Sequence, residues 1–117
     1  MLRKNIYSEI EKAKVDPEVG ISISPIIEKE EVSFHIAVIK DKIKEHFHKE
    51  RDEIYFIIKG EGKLKIDEEE EKVKTGDVIL IQKGSKHALK NTGTEPLILA
   101  FISVPSFAPD IDRFFVE

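Results

Sequence analysis

From residue 20 onward, apolar residues occur in short runs or alternate with polar ones, and turn-forming residues separate the runs. Candidate strands are residues 21–28, 32–40, 54–58, 64–66, 78–81, 86–90 and 97–104. The turn signals between them include Gly60-Glu61-Gly62, Thr75-Gly76-Asp77, Lys83-Gly84-Ser85 and Asn91-Thr92-Gly93-Thr94. Short strands separated by such turns predict an all-β sandwich or barrel.

Two segments depart from this strand pattern. Only the first fifteen residues have helical spacing, with Leu2, Ile6, Ile10 and Ala13 on one side, which predicts a short N-terminal helix or an irregular arm. Residues 67–71 are five consecutive acids. Because candidate strands flank the acids and like charges repel, we expect a solvated hairpin tip there, with a calcium site as the alternative.

Length and composition restrict the class of protein. The 117 residues form one domain, 1–117, and the net charge of −4 with scattered basic residues argues against nucleic acid as a partner. The absence of cysteine excludes disulfides and thiolate metal sites. The chain shows neither a signal peptide nor an apolar run long enough for a membrane span, so we expect a cytoplasmic protein. The abundance of Glu, Lys and Ile is typical of proteins from hot habitats.

The stretch EHFHKERDEIYFIIKGEG, residues 45–62, places histidines and a glutamate in front of an apolar strand. On a strand, His46 and His48 point to the same side. If a tight turn follows, Glu53 begins the next strand beside them, and a buried carboxylate there needs a partner. A divalent cation bound by all three residues would supply one, whereas the alternative is a polar cluster on the surface.

The strand that begins near Glu53 has two apolar faces. Tyr55 and Ile57 share the parity of Glu53, and Ile54, Phe56 and Ile58 line the opposite face. We therefore expect both faces to be covered. Tyr55 would then lie near the cation, either as a proton donor or as a wall residue whose hydroxyl is hydrogen-bonded.

A second segment, GDVILIQKGSKHALKN, residues 76–91, carries His87 on an outgoing strand that could reach the same interior. The two segments together resemble the two motifs of the cupin superfamily, G(X)5HXH(X)3,4E(X)6G and G(X)5PXG(X)2H(X)3N. The matching positions are His46, His48, Glu53 and Gly60 in the first motif, and Gly76, Gly84, His87 and Asn91 in the second. Lys40 and Gln82 replace a glycine and a proline at turn positions.

The resemblance implies an antiparallel jelly-roll β-barrel, also called a double-stranded β-helix, over about residues 20–104. It also implies one divalent metal inside the barrel, bound by His46, His48, Glu53 and His87. Three imidazoles and one carboxylate suit Mn, Fe, Co, Ni or Zn rather than Ca or Mg. Four ligands on a metal that prefers six leave two positions for water, an oxygen-bearing substrate or dioxygen.

The sequence leaves the roles of three further residues open. His35 lies on a candidate strand, where it is either structural or close to the substrate. The tail, residues 103–117, resembles a segment that many small cupins carry near the barrel mouth, which could bring Asp110 or Asp112 to the substrate.

Two functions fit the sequence. One is a metalloenzyme of isomerase, lyase or dioxygenase type that acts on a small oxygenated molecule, with Glu53 and Tyr55 as catalytic residues. The other is a non-catalytic module that binds a small ligand or a sugar. The only arginines, Arg3, Arg51 and Arg113, form no cluster in the sequence, which argues against a phosphosugar substrate.

We also expect a homodimer, because open sheet edges tend to be covered. The strand near Ile21 and the Phe-rich tail could pair with a second subunit or fold back onto their own barrel.

Overall fold

The computed structural model describes residues 1–16 and 21–116. Gly20, where the predicted barrel begins, lies outside the described residues. The described part of the chain contains helix α1 (Ile6–Ile10) and the strands β1 (Lys14–Asp16), β2 (Ile21–Glu28), β3 (Ser33–Ile39), β4 (Lys42–Phe47), β5 (Asp52–Lys59), β6 (Glu61–Ile66), β7 (Glu69–Lys74), β8 (Val78–Ile81), β9 (His87–Asn91), β10 (Leu97–Val104) and β11 (Phe114–Phe115).

The strands form two antiparallel sheets that face each other. One sheet has the order β1-β2-β3-β10-β5-β8, and the other has the order β11-β4-β9-β6-β7. Apolar side chains from both sheets fill the space between them, including Ile39, Ile57, Leu89, Leu97 and Leu99, all at most 2% exposed. The predicted all-β fold, an antiparallel jelly-roll barrel, is confirmed.

The acidic run lies in a hairpin, as predicted, but its tip is shorter than expected. The turn comprises Asp67 and Glu68, with a positive φ at Asp67, and β7 begins at Glu69. Lysines of β6 lie opposite the glutamates of β7, with Lys65 paired to Glu70 in the register and Lys63 forming a 3.6 Å ion pair with the Glu70 carboxylate. This charge complementarity favours a strand that its sequence alone did not predict.

The N-terminal helix is shorter than its apolar spacing predicted. The Asn5 side chain caps it by accepting hydrogen bonds from the backbone N–H groups of Tyr7 and Ser8. Ile6 and Ile10 pack on the outer face of the six-stranded sheet. Leu2 lies outside the helix and is 62% exposed, so the helix does not extend to the first residue of the apolar spacing. Among the described residues, no helix is long or apolar enough to cross a membrane.

The outer face of β5 is only partly covered, contrary to the expectation from its two apolar faces. Ile54 and Phe56 are 37% and 44% exposed, and their partners on the edge strand β8, Leu80 and Val78, are 55% and 65% exposed. Ile58 instead packs with the outer cluster that Ile6 and Ile10 join. The sequence alternation of β5 therefore predicted correctly which side chains point inward. It did not predict that the outward side chains stay partly exposed.

Both segments expected at a subunit interface pair within their own chain. Strand β2 lies between β1 and β3, and Phe114 and Phe115 form a short strand against Phe47 and His46 of β4. Intramolecular pairing thus uses the surfaces proposed for dimer contacts. The homodimer stays a prediction.

Candidate metal centre

The four candidate ligands meet between the two sheets. His46 lies on β4 with His48 just beyond its end, His87 begins β9, and Glu53 lies on β5 of the facing sheet. The register pairs His46 with His87. All four side chains are buried, at 5%, 2%, 1% and 3% exposure respectively. Strand pairing therefore brings together residues that lie in separate parts of the sequence.

The distances between the ligand atoms suit a single ion. One nitrogen from each of His46, His48 and His87 lies within 4.8 Å of the other two. Glu53 Oε1 lies 3.2 Å from His48 Nε2 and 3.5 Å from His87 Nε2. Ligand atoms bound at 2.0–2.2 Å from a common metal are roughly 3.0–3.5 Å apart. The carboxylate and two imidazoles already have this spacing.

Backbone carbonyls orient the three imidazole rings. The Nδ1 atoms of His46 and His87 lie 2.7 Å from Lys44 O and 3.0 Å from Ser85 O. An Nδ1–H group that donates to a carbonyl leaves Nε2 with a free lone pair for a metal. The backbone thus favours the tautomers that bind a metal through Nε2.

His48 Nδ1 has two competing neighbours. It lies 2.6 Å from the carbonyl oxygen of Asp112 and 2.8 Å from Nη2 of Arg51. A neutral imidazole nitrogen either donates or accepts, so the two hydrogen bonds exclude each other. Donation to the Asp112 carbonyl leaves Nε2 free, and only this arrangement fits a metal at Nε2.

The electrostatics keep Glu53 ionised and His46 neutral. Burial by itself raises the pKa of the Glu53 carboxyl, but hydrogen bonds and charge from the imidazoles of His48 and His87 lower it more when their Nε2 atoms carry protons, so the pKa lies below its ordinary value. A metal held at the two Nε2 atoms would take the place of those protons. Burial, reinforced by the neighbouring His87, lowers the pKa of His46 to about 3. A carboxylate and a neutral imidazole are the forms that bind metals.

Two orphaned atoms test whether the residues fit a metal. Glu53 Oε1 and His87 Nε2 are buried and have no hydrogen-bond partner. Leaving a buried carboxylate oxygen unsatisfied is costly, and the two imidazoles beside it offer lone pairs rather than donors in the favoured tautomers. A divalent cation would satisfy all of these atoms together, so the donor set fits a transition metal.

A cavity opens beside these ligands. Its empty space is about 350 Å³ including the mouth, although most of it is too narrow for the centre of a water molecule. His46, His48 and Glu53 form one part of its wall, and Ile43, Leu99 and Phe101 contribute an apolar part. The arrangement suits a small molecule that presents its polar end to the ligands.

Tyr55 lies on the wall of this cavity, as its parity predicted. It is 4% exposed, and its ring centroid lies 6.2 Å from that of His87. Burial raises the pKa of the Tyr55 hydroxyl well above its ordinary value. The phenol therefore keeps its proton at neutral pH and can act as a donor rather than as a phenolate.

His35 is a core residue outside the ligand group. Its ring stacks on Phe101 with centroids 4.7 Å apart and contacts the edge of Phe107, and neither ring nitrogen has a hydrogen-bond partner. Burial lowers the pKa of His35 to about 4. Its neutral ring thus belongs to an aromatic stack behind the cavity wall.

The two tail aspartates differ sharply. Asp112 is buried, and its carboxylate accepts hydrogen bonds from the backbone N–H groups of Lys49 and Glu50 at 2.7 and 3.1 Å. It fixes the turn that carries His48 rather than facing the cavity. Asp110 is exposed in a turn. Neither aspartate lines the cavity, so the structure does not bear out the expectation that Asp110 or Asp112 approaches the substrate. Asp112 acts instead as a structural support of the turn.

Two arginines that the sequence analysis set aside lie at the site. Arg113 lines the cavity, and Arg51 is only 1% exposed, with Nε 3.9 Å from Glu53 Oε2 and its guanidinium carbon 4.5 Å from the Phe107 ring centroid. Burial lowers the pKa of Arg51, whereas Glu53 and Asp112 raise it. Arg51 belongs to the charged run Lys49-Glu50-Arg51 between His48 and Glu53, and this run gives no sign in the sequence that the arginine is buried.

The second motif also forms its turns, although Gln82 stands in place of proline. Gly84 has φ +87°, and its N–H donates a 2.6 Å hydrogen bond to the carbonyl of His48. Ser85 N–H donates to the carbonyl of Gln82 at 3.0 Å, so the turn closes without proline. Asn91 Nδ2 donates to the carbonyls of Ile39 and Glu95, which ties two loops together.

Known proteins resemble this chain over most of its length. An uncharacterised protein of Aquifex aeolicus is 31% identical over 99 residues, which cover 85% of this chain and 81% of that protein. A double-stranded β-helix protein from Klebsiella pneumoniae has a TM-score of 0.78 at 19% identity, with 98% and 99% of the two chains covered. A predicted oxalate decarboxylase from Thermotoga maritima has a TM-score of 0.68 at 24% identity, with 73% and 80% covered.

The family model for the cupin domain matches residues 33–104. This range runs from β3 to β10 and contains the four residues that converge in the barrel. Together with the observed fold, the match shows that the chain belongs to the cupin family.

Proposed function

We propose that this cupin is a metalloenzyme that acts on a small oxygenated molecule. In this proposal, His46, His48, Glu53 and His87 hold one divalent transition metal, which is Mn, Fe, Co, Ni or Zn. The observation that carries the proposal is the pair of buried, unsatisfied atoms, Glu53 Oε1 and His87 Nε2, only 3.5 Å apart. A metal is the partner that satisfies a carboxylate and lone-pair nitrogens at once.

When bound, the metal would supply Lewis-acid polarisation of a substrate oxygen and open coordination positions. The chain's own residues have separate roles. Glu53 contributes the single negative charge of the ligand set, which limits the positive charge felt by the substrate. Tyr55 holds a proton on the cavity wall and would donate it to a developing negative charge on the substrate. The apolar wall limits the access of water.

The comparisons support the class of chemistry rather than a particular reaction. The Thermotoga maritima structure is described as a predicted oxalate decarboxylase, and oxalate is a small oxygen-rich acid. We infer an isomerase, lyase or dioxygenase type of reaction. Iron in protein purified without added metal would favour oxygen chemistry, whereas zinc or manganese would favour an isomerase or a lyase.

The test measures metal content and turnover in matched variants. His48→Ala and His87→Ala each remove one ligand, so metal affinity should fall further than the roughly 10–100-fold typical for loss of an outer hydrogen-bond partner. Glu53→Gln keeps the shape and removes the charge. This variant should retain part of the metal and lose turnover. Glu50→Gln is the matched control, because it makes the same charge change at an exposed position of the same turn.

Mass spectrometry of the intact metal complex and elemental analysis give the readout. Equal metal content in wild type, His48→Ala, His87→Ala and Glu53→Gln would refute the metal centre. A metal-loaded protein in which Glu53→Gln changes ligand affinity only as metal content changes, with no turnover to lose, would instead support a non-catalytic module that binds a small ligand or a sugar.

A further inference from the structure

Positive charge is concentrated at one side of the cavity. Arg113, on the tail just after Asp112, lines the cavity together with Phe107 and the candidate ligands. Arg51 lies directly behind this wall, where it contacts His48 and the face of Phe107. The short strand β11, which pairs with β4, brings Arg113 from the far end of the chain to this place.

Arg51 has unused hydrogen-bonding capacity. Its Nε and Nη1 atoms are buried and have no hydrogen-bond partner, although the guanidinium carries five N–H donors in all. The nearest carboxylate, that of Glu53, is 3.9 Å away at Oε2. A buried cation with unmet donors indicates that the site lacks an anionic group.

The balance of charges changes once a metal binds. Without a metal, the Glu53 carboxylate partly offsets the charge of the Arg51 guanidinium, which lies 3.9 Å away. A divalent cation held by Glu53 and the three imidazoles would leave net positive charge beside Arg51 and the largely apolar cavity wall. Such an excess is unfavourable in a low dielectric unless an anion enters.

We propose that the natural ligand carries a carboxylate that binds to Arg113, with the charge of Arg51 behind it, while another oxygen of the ligand faces the metal. This inference rests on the proposed metal centre and narrows its substrate class from any oxygenated molecule to a small carboxylic acid. The planar guanidinium fork matches a carboxylate, and the narrow cavity favours a flat carboxylate over a bulkier phosphate.

The experiment follows the Arg113 Nε–Hε signal by NMR in zinc-loaded protein during separate titrations with propionate, propionamide and inorganic phosphate. Propionate should shift this signal and saturate, whereas the neutral amide of the same shape should bind at least about tenfold more weakly. Arg113→Gln, followed through backbone signals of the cavity wall, should weaken propionate binding by about 10- to 100-fold, the loss of one bidentate ion pair. Arg113→Lys should be intermediate, since it keeps the charge and loses the fork.

Arg3→Gln is the matched control, because it removes the same charge from an exposed position near the N-terminus. It should leave propionate binding unchanged. Equal affinity of wild type and Arg113→Gln for propionate would overturn the proposal, and so would tighter binding of phosphate or of propionamide than of propionate. Thermal unfolding of each variant verifies that it is folded.

Metal analysis of the same samples separates the two proposals. If none of Mn, Fe, Co, Ni and Zn binds, the metal centre is refuted. The arginine site is then judged in the metal-free protein, where propionate binding should be weaker but still depend on Arg113. Propionate binding that is independent of Arg113 in the metal-free protein would overturn the carboxylate site in that case. If zinc binds and propionate does not, the metal centre is supported and the carboxylate site is refuted.

Discussion

Removing the Asp112 carboxylate should damage the metal centre without touching a ligand. This carboxylate accepts hydrogen bonds from Lys49 and Glu50 N–H, at 2.7 and 3.1 Å, and these two residues form the turn between His48 and Glu53. The carbonyl of the same residue lies 2.6 Å from His48 Nδ1. Asp112→Ala therefore loosens the turn and the support of the His48 ring in a single change.

The magnitude follows from the two lost hydrogen bonds. A hydrogen bond to a charged group stabilises a protein by about 1.5–3 kcal/mol. Because Lys49 and Glu50 are exposed, water can replace the carboxylate, so we expect a total loss of about 2–3 kcal/mol. For a chain of 117 residues, this corresponds to a fall in melting temperature of about 8–12 °C. Metal affinity should fall by about 10–100-fold.

Urea unfolding in the presence of a chelator measures the first effect, and titration with a competing metal indicator measures the second. Asp110→Ala is the control, since Asp110 is exposed two residues earlier and its loss should change stability by less than about 0.5 kcal/mol. The stability of Asp112→Asn should lie between those of Asp112→Ala and Asp110→Ala, because the amide oxygen of the asparagine still accepts one hydrogen bond. If Asp112→Ala and Asp110→Ala unfold at the same urea concentration, the role assigned to Asp112 is wrong.

Three further outcomes are expected. Folding lowers the pKa of His35 from 6.5 to about 4. As the pH falls between these two values, the unfolded state binds a proton on His35 and the folded state does not, so the free energy of unfolding should decrease by about 1.4 kcal/mol per pH unit. His35→Phe should reduce that decrease in urea unfolding between pH 6.5 and 4, and an unchanged slope would contradict the assignment. Gly62→Ala should lower the free energy of unfolding by about 1–3 kcal/mol in the same assay, because its Cβ would lie 2.7 Å from the Lys90 carbonyl oxygen. An unchanged free energy would show that the backbone shifts to make room for the methyl group. Light scattering should give about twice 13.4 kDa if the chain forms a homodimer, and a monomer mass at micromolar concentration rules it out.

Local patterns predicted most of the barrel, and the resemblance to the two cupin motifs implied the ligand group. Strands β2, β8 and β10 have the predicted boundaries, and each is rich in Ile, Leu or Val. His46 and His48 share a side since a strand alternates with period two, and Glu53 shares the inward parity of Tyr55. These features depend on near neighbours in the sequence, which is why the sequence alone suffices.

Features that depend on distant pairing were missed. The acidic strand β7 has low intrinsic β-propensity and forms opposite the lysines of β6. The two-residue strand β11 shows no alternation, yet it determines where Arg113 lies. Arg51 looked like part of a polar turn, and only the tertiary fold buries it against Phe107. Pairing partners far apart in the chain carry no local signal that a pattern search could detect.

The central position of β10 has a consequence for biosynthesis. This strand pairs on one side with β3 and on the other with β5, although both of them precede it by a long stretch of chain. Until Leu97–Val104 leaves the ribosome, the facing edges of β3 and β5 remain open, and open edges invite aggregation. Pairing over such separations also slows folding. A nascent chain arrested before Leu97 should therefore be digested rapidly by protease, whereas one that extends past Val104 should resist digestion.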